Sequence, residues 1–94
     1  FNNGRNVELV SPMSVHITPN PADASARLRI TTSETGPARV DIYNALGLCV
    51  QSCSLQLRGS ADVIDLAIEH LPAGMYAVSV KSAEQHVHSH MLKR

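Results

Sequence analysis

The run LPAGMYAVSVK, Leu71 to Lys81, constrains this chain more than any other stretch. Pro72 fixes φ and Gly74 permits φ > 0, so the run opens on a turn. Tyr76, Val78 and Val80 then alternate with Ala77, Ser79 and Lys81. A period of two with aromatic and β-branched residues on one side describes a strand with one buried face. Such a strand needs partners on both edges and an opposing sheet, so it belongs at the centre of a sheet.

The rest of the chain repeats the pattern in short pieces. Met13 to Thr18 sets Met13, Val15 and Ile17 against Ser14, His16 and Thr18, and Pro19-Asn20-Pro21 ends it at a corner because two prolines remove backbone donors. Ala26 to Thr32 turns Ala26, Leu28 and Ile30 inward. Glu34 to Pro37 reads as a turn, and Ala38 to Tyr43 as a strand with Val40 and Ile42 inside. Asn44 to Gly47 is a tight connection in which Gly47 takes the left-handed conformation. Leu48 to Leu57 changes apolar phase partway, which implies a bulge near Cys53. After a turn at Arg58 to Ser60, Ala61 to Leu66 places Asp62 on the face of Ile64 and Leu66. Ile68 to Gly74 has room for one helical turn at most. A polar turn at Ser82 to Gln85 leads into a last strand, His86 to Leu92. Seven short strands and no helical element predict an all-β fold, an immunoglobulin-like antiparallel β-sandwich. The paired cysteines and core tryptophan of antibody domains are missing.

Ninety-four residues suffice for one domain. With no Trp, one Phe and two Tyr, its core must be built from aliphatic side chains. Eight Lys plus Arg balance eight Asp plus Glu and are scattered singly, which argues against a nucleic-acid or anionic-membrane surface. No apolar run approaches the roughly 18 to 20 residues that span a bilayer. The chain begins at Phe1 without Met and without a secretory signal, so it reads as a piece of a longer protein. Residues 1–11 are then the tail of a linker and 12–94 the domain.

Candidate chemistry is sparse. Cys49 and Cys53 lie four apart, about 13 Å along a continuous strand, so free, partly buried thiols are expected, and no second pair completes a zinc site. His86, His88 and His90 project from one face, roughly 6.5 to 7 Å apart, and could share a metal given a further ligand. No carboxylate or cysteine adjoins them in sequence, so a solvated face with Val87, Ser89 and Met91 inward is the preferred reading. His16 and His70 read as surface residues. Asp62 and Asp65, three apart, fall on opposite faces and cannot form an acid/base dyad. Without a nucleophile elbow or phosphate-cradling glycine loop, no enzyme, cofactor or metal site is expected. Arg27, Arg29 and Arg39 are expected along one sheet face, most simply a solvated one.

Four of these motifs, in order, carry more information. An opening strand into Pro19-Asn20-Pro21, then VDIYNALG (Val40 to Gly47), then LPAGMYAVSV (Leu71 to Val80), then a final strand ending in Lys93 and Arg94, resembles the C-terminal sorting domain of type IX secretion cargo proteins. The resemblance spans Val15 to Arg94. It implies a domain at the extreme C-terminus of proteins exported by Bacteroidetes, directing a folded cargo across the outer membrane through a translocon. A sortase-like cysteine peptidase then removes it, cutting in or upstream of residues 1–11, and the cargo is often joined to anionic lipopolysaccharide. Carried over by position, recognition would fall on Gly74 and on His86, Val87, His88, Ser89, His90, Met91, Leu92, Lys93 and Arg94. Pro19, Asn20, Pro21, Gly47, Leu71, Pro72 and Ala73 would shape turns. The histidine-rich last strand and the two cysteines depart from the family pattern.

A physical mechanism fits this reading. A last strand at an accessible terminus offers a docking edge, and its basic end suits an acidic receptor surface. The same edge would let two copies pair or exchange strands. The alternatives are an accessory module that binds carbohydrate or spaces domains, and a metal-binding domain using the histidine strand. The first needs exposed aromatics to stack on sugars, and only Phe1, Tyr43 and Tyr76 are present.

Overall fold

The alternating runs become strands that bury one side each. In the computed structural model, residues 13–94 are described, so the expected linker at 1–11 lies outside the described residues. Seven strands follow in order: β1 (Ser14–Thr18), β2 (Ser25–Thr31), β3 (Thr35–Tyr43), β4 (Cys49–Arg58), β5 (Ala61–Ala67), β6 (Gly74–Ser82) and β7 (His86–Lys93). They form a three-stranded sheet, β1-β2-β5, and a four-stranded sheet, β4-β3-β6-β7, with every pairing antiparallel. β6 lies between β3 and β7, in the interior of its sheet, as the alternation of Tyr76, Val78 and Val80 requires.

The two inner faces meet in one aliphatic core. Ile17, Ala26, Leu28, Ile30 and Leu66 come from the smaller sheet, and Val40, Ile42, Leu57, Tyr76, Val78, Val80 and Met91 from the larger. Each fully buried Leu, Ile, Val or Met contributes on the order of 1.5–3 kcal/mol over exposure, so a core with almost no aromatics is sufficient when this many are sealed.

Several expectations are corrected. β3 begins at Thr35, not Ala38, because Gly36 and Pro37 pair with Leu57 and Gln56 of β4. Pairing to β6 starts only at Ala38, so the missing Pro37 donor interrupts no ladder on that side. The register slip in β4 lies at Val50, opposite the Ile42/Tyr43 step, rather than near Cys53. Val50 is the extra residue and stays exposed, and Leu48, also exposed, lies in the connection before β4 begins. Cys49 and Cys53 are free, but both are exposed, because β4 is an edge strand shielded from one side only. Arg27 and Arg29 lie on the outer face of the smaller sheet and Arg39 on that of the larger, so the three share no face. Between β5 and β6 there is no helix. One turn is closed by the Leu71 N–H donating to the Ile68 carbonyl at 2.9 Å.

The aspartates separate as expected. Asp62 turns inward and accepts from the Arg58 backbone N–H (3.2 Å) and the Arg58 guanidinium (2.9 Å), tying the β4–β5 turn, while Asp65 on the outer face pairs with Arg27 at 3.4 Å.

Candidate recognition pole

Antiparallel packing sorts the loops into two ends. The 19–24, 44–48 and 68–73 connections and the end of β7 share one pole, while Met13, where the chain enters the domain, joins the 32–34, 59–60 and 83–85 turns at the other. β7 alone separates the poles by roughly 25 Å, at about 3.3 Å per residue. The motifs that are scattered along the sequence thus converge: Pro19 to Pro21, Gly47, Leu71 to Gly74 and Leu92 to Arg94 meet at the first pole.

Each loop there is held by a specific contact. Asn44 Oδ1 accepts from the N–H groups of Leu46 (2.9 Å) and Leu48 (3.0 Å), and the Gly47 N–H returns to the Asn44 carbonyl. Gly47 completes the turn at φ +83°, in the left-handed region that favours glycine. The buried Tyr76 donates its hydroxyl to the Pro72 carbonyl, fastening the Leu71–Gly74 turn to β6. Gly74, at φ +153°, starts β6 directly opposite Lys93.

The corner after β1 does more than turn. Asn20 Oδ1 accepts from the Leu92 N–H (3.0 Å) and its Nδ2 donates to the His90 carbonyl (3.1 Å). Ala22 continues as a strand would: its N–H donates to the Leu92 carbonyl (2.7 Å), and its carbonyl accepts from the Arg94 N–H (2.8 Å). The end of the chain is therefore latched, which corrects the expectation of a freely accessible terminus. Lys93 is buried at 8% exposure and its ammonium donates to the Arg94 carbonyl, whereas Arg94 is exposed, 4.0 Å from Asp23. The reason is parity: Lys93 lies two residues after Met91, on the inward side of β7.

What the pole displays is apolar. Leu46 is 83% exposed, Met75 49% and Leu92 39%. Met75 and Leu92 are cross-strand partners, and Leu46 and Met75 line a hollow of about 220 Å³ with Pro72 and Ala73. Leu46 and Met75 were not singled out from sequence. An apolar residue in the middle of a turn, as at Leu46, is the signal that could have found the first.

The remaining predicted residues lie away from this pole. His86, His88 and His90 are exposed on the outer face of the four-stranded sheet, Val87 and Ser89 point inward half-buried, and Met91 is fully buried. Beside the histidines, Asp41 accepts from Ser52 (2.6 Å) and Arg39 (2.9 Å), and these bonds, led by that from Ser52, hold its carboxyl below the ordinary range. Among the described residues, no three His, Cys, Asp or Glu side chains are grouped so as to hold a metal ion.

Comparison with known proteins concerns the domain as a whole. The family described as "Secretion system C-terminal sorting domain" matches residues 16–94, nearly all of the described chain. A search of curated proteins finds no match. Among solved structures, dimeric latent PorU from Porphyromonas gingivalis shares the fold, with a TM-score of 0.70 and 20% identity. That alignment covers 97% of this chain and 10% of the PorU chain. With the fold, the order of the motifs and the family match in agreement, the chain belongs to the secretion system C-terminal sorting domain family and is a type IX secretion sorting signal.

Proposed function

We propose that the type IX machinery reads this domain at the pole formed by Leu46, Met75, Leu92 and Arg94, and that the domain itself carries out no catalysis. The observation that carries this reading is the placement of the two ends. The chain enters at Met13, whose N–H donates to Gln85 Oε1 at 2.6 Å, while the exposed Leu46, Met75, Leu92 and Arg94 gather at the opposite pole. A folded cargo attached upstream would leave that pole uncovered. An exposed apolar cluster with Arg94 at its rim, only loosely paired with Asp23 at 4.0 Å, suits a receptor surface with an apolar centre and an acidic group at its margin.

In this reading the cargo passes through periplasm and outer membrane, and a sortase-like peptidase then cuts upstream of the domain, with the cargo joined to surface lipopolysaccharide. The latch narrows the role of β7 as a docking edge. From His90 to Arg94 that edge is occupied by Asn20 and Ala22, so strand addition by a receptor or a second copy has only the His86–His88 part to use unless the latch opens.

The test fuses residues 1–94 to the C-terminus of a fluorescent protein in a bacterium with this secretion system. The wild-type fusion reaches the cell surface, whereas Leu46→Ala/Met75→Ala/Leu92→Ala, folded by its urea midpoint, accumulates in the periplasm. Surface delivery of the triple variant at the wild-type level rejects the pole as the surface that is read.

A further inference from the structure

We infer that His86 and His88 form a two-imidazole chelate for a late first-row divalent ion, nickel, copper or zinc, on the outer face of the four-stranded sheet. It is separate from the recognition pole and does not depend on it. The two rings are 6.3 Å apart between centroids at an interplanar angle of 69°. Imidazole nitrogens about 2.0–2.1 Å from a shared ion, at bond angles of about 90–110°, put ring centres roughly 4.5 to 5.3 Å apart, so rotations about the side-chain bonds that close the pair by about 1 Å bring both onto one ion.

The surroundings support an ion there. His86 Nε2 lies 2.7 Å from Ser79 Oγ, and Ser79 is itself buried. With its proton on Nε2, His86 donates to Ser79 and keeps the Nδ1 lone pair for the metal, the arrangement in which an outer partner fixes a ligating histidine. Tyr43, Ala77, Ser79, His86 and His88 line a groove of about 290 Å³, open enough for the water ligands that two imidazoles leave to be filled. Asp41, the register partner of Ser79 on β3, adds negative charge on the far side of β6, offset by Arg39 and Lys81. Two protein ligands make a labile site, one that takes up and releases the ion rather than a structural centre.

Nickel is the probe, because copper would oxidise the exposed Cys49 and Cys53 thiols. Untagged protein is titrated with nickel chloride by calorimetry, with folding of each variant checked by its urea midpoint. Saturable one-site binding is expected, weakened about tenfold or more by H86N and by H88N, and unchanged by H16A, H70A or C49S/C53S. Absence of saturable binding at millimolar free nickel overturns the inference, as does binding lost with the cysteines instead. Wild-type affinity in H86N together with a tenfold loss in H90A would place the chelate on His88 and His90 and overturn its assignment to His86.

Discussion

The carboxamide of Asn20 stands against the backbone of Leu92 as a neighbouring strand would, accepting its N–H at 3.0 Å while donating to the His90 carbonyl at 3.1 Å. A single side chain thereby satisfies two edge groups of β7 and starts the bridge that Ala22 carries on to Arg94. Asn20→Ala removes both bonds. At about 0.5–1.5 kcal/mol net each, the domain should lose roughly 1–3 kcal/mol in urea unfolding. Amide exchange at Leu92 and Arg94 should speed up far more than at Val78. Unchanged exchange at Leu92 would show that the latch does not hold the end of β7.

Met91 and Leu92 are neighbours in sequence with opposite duties. Met91 is fully buried and Leu92 39% exposed. Met91→Ala should cost about 2–5 kcal/mol through the cavity it leaves. Leu92→Ala should stay within about 1 kcal/mol of wild type yet lower surface delivery of the reporter. A stability loss from Leu92→Ala as large as that from Met91→Ala would make its effect on export a folding defect.

Lys93 gives a sharper separation of charge from position. Its stem is packed inward and its ammonium is spent on the Arg94 carbonyl, so only Arg94 shows its charge. Lys93→Met keeps the stem's volume, and the reporter bearing it should reach the surface at nearly the wild-type level. Arg94→Ala should reduce delivery severalfold. The reverse order of effects would mean that a receptor pulls Lys93 out of the domain.

The strands were legible because alternation is local: the inward residues of β2 and β6 follow from parity alone. The pole was not, because it is assembled from four loops that only the packing of two sheets brings together. Asn20 shows the limit most clearly. Between two prolines it reads as a turn residue, and nothing in PNP reveals that its amide reaches residues 70 and 72 positions downstream. Lys93 failed for a related reason: a basic residue near the end of a strand reads as solvated, yet parity and the Ala22 bridge fold it inward. Pro37 reads from sequence as a turn residue, yet it sits in β3 where only β4 pairs with the chain, so its missing donor can face the unpaired side.

Acid should loosen the pole where the chain enters. Glu34 is buried and accepts from Ser82 Oγ (2.7 Å), Gln85 Nε2 (3.2 Å) and the Glu84 N–H (3.3 Å). The Ser82 bond is the main reason its pKa lies below the ordinary 4.5, with burial opposing and the Gln85 and Glu84 bonds adding to the shift. A depressed folded-state pKa contributes stability that is fully present above the unfolded value. That contribution is lost as the pH falls through the folded one. Glu34→Gln should therefore be less stable than wild type at pH 7, with the gap narrowing in urea melts as the pH falls below the ordinary 4.5 and Glu34 takes up its proton. A gap that does not narrow at all on acidification would assign the loss to packing instead of charge.

Cys53 makes the last prediction. Its thiol pKa is raised above the ordinary 9.0, first by partial burial beside Val40 and then by the negative charge of Asp41. Since the thiolate is the nucleophile, a raised pKa leaves less of it at a given pH, and an exposed position does not make this cysteine reactive. In a Cys49→Ser background, iodoacetamide at pH 8 should modify Cys53 severalfold more slowly than it modifies free cysteine. The two rates should draw together as the pH rises and the Cys53 thiol ionises. Modification at pH 8 as fast as free cysteine would mean that the inward side of β4 opens readily to water, and that the edge of the four-stranded sheet is looser than its pairing with β3 implies.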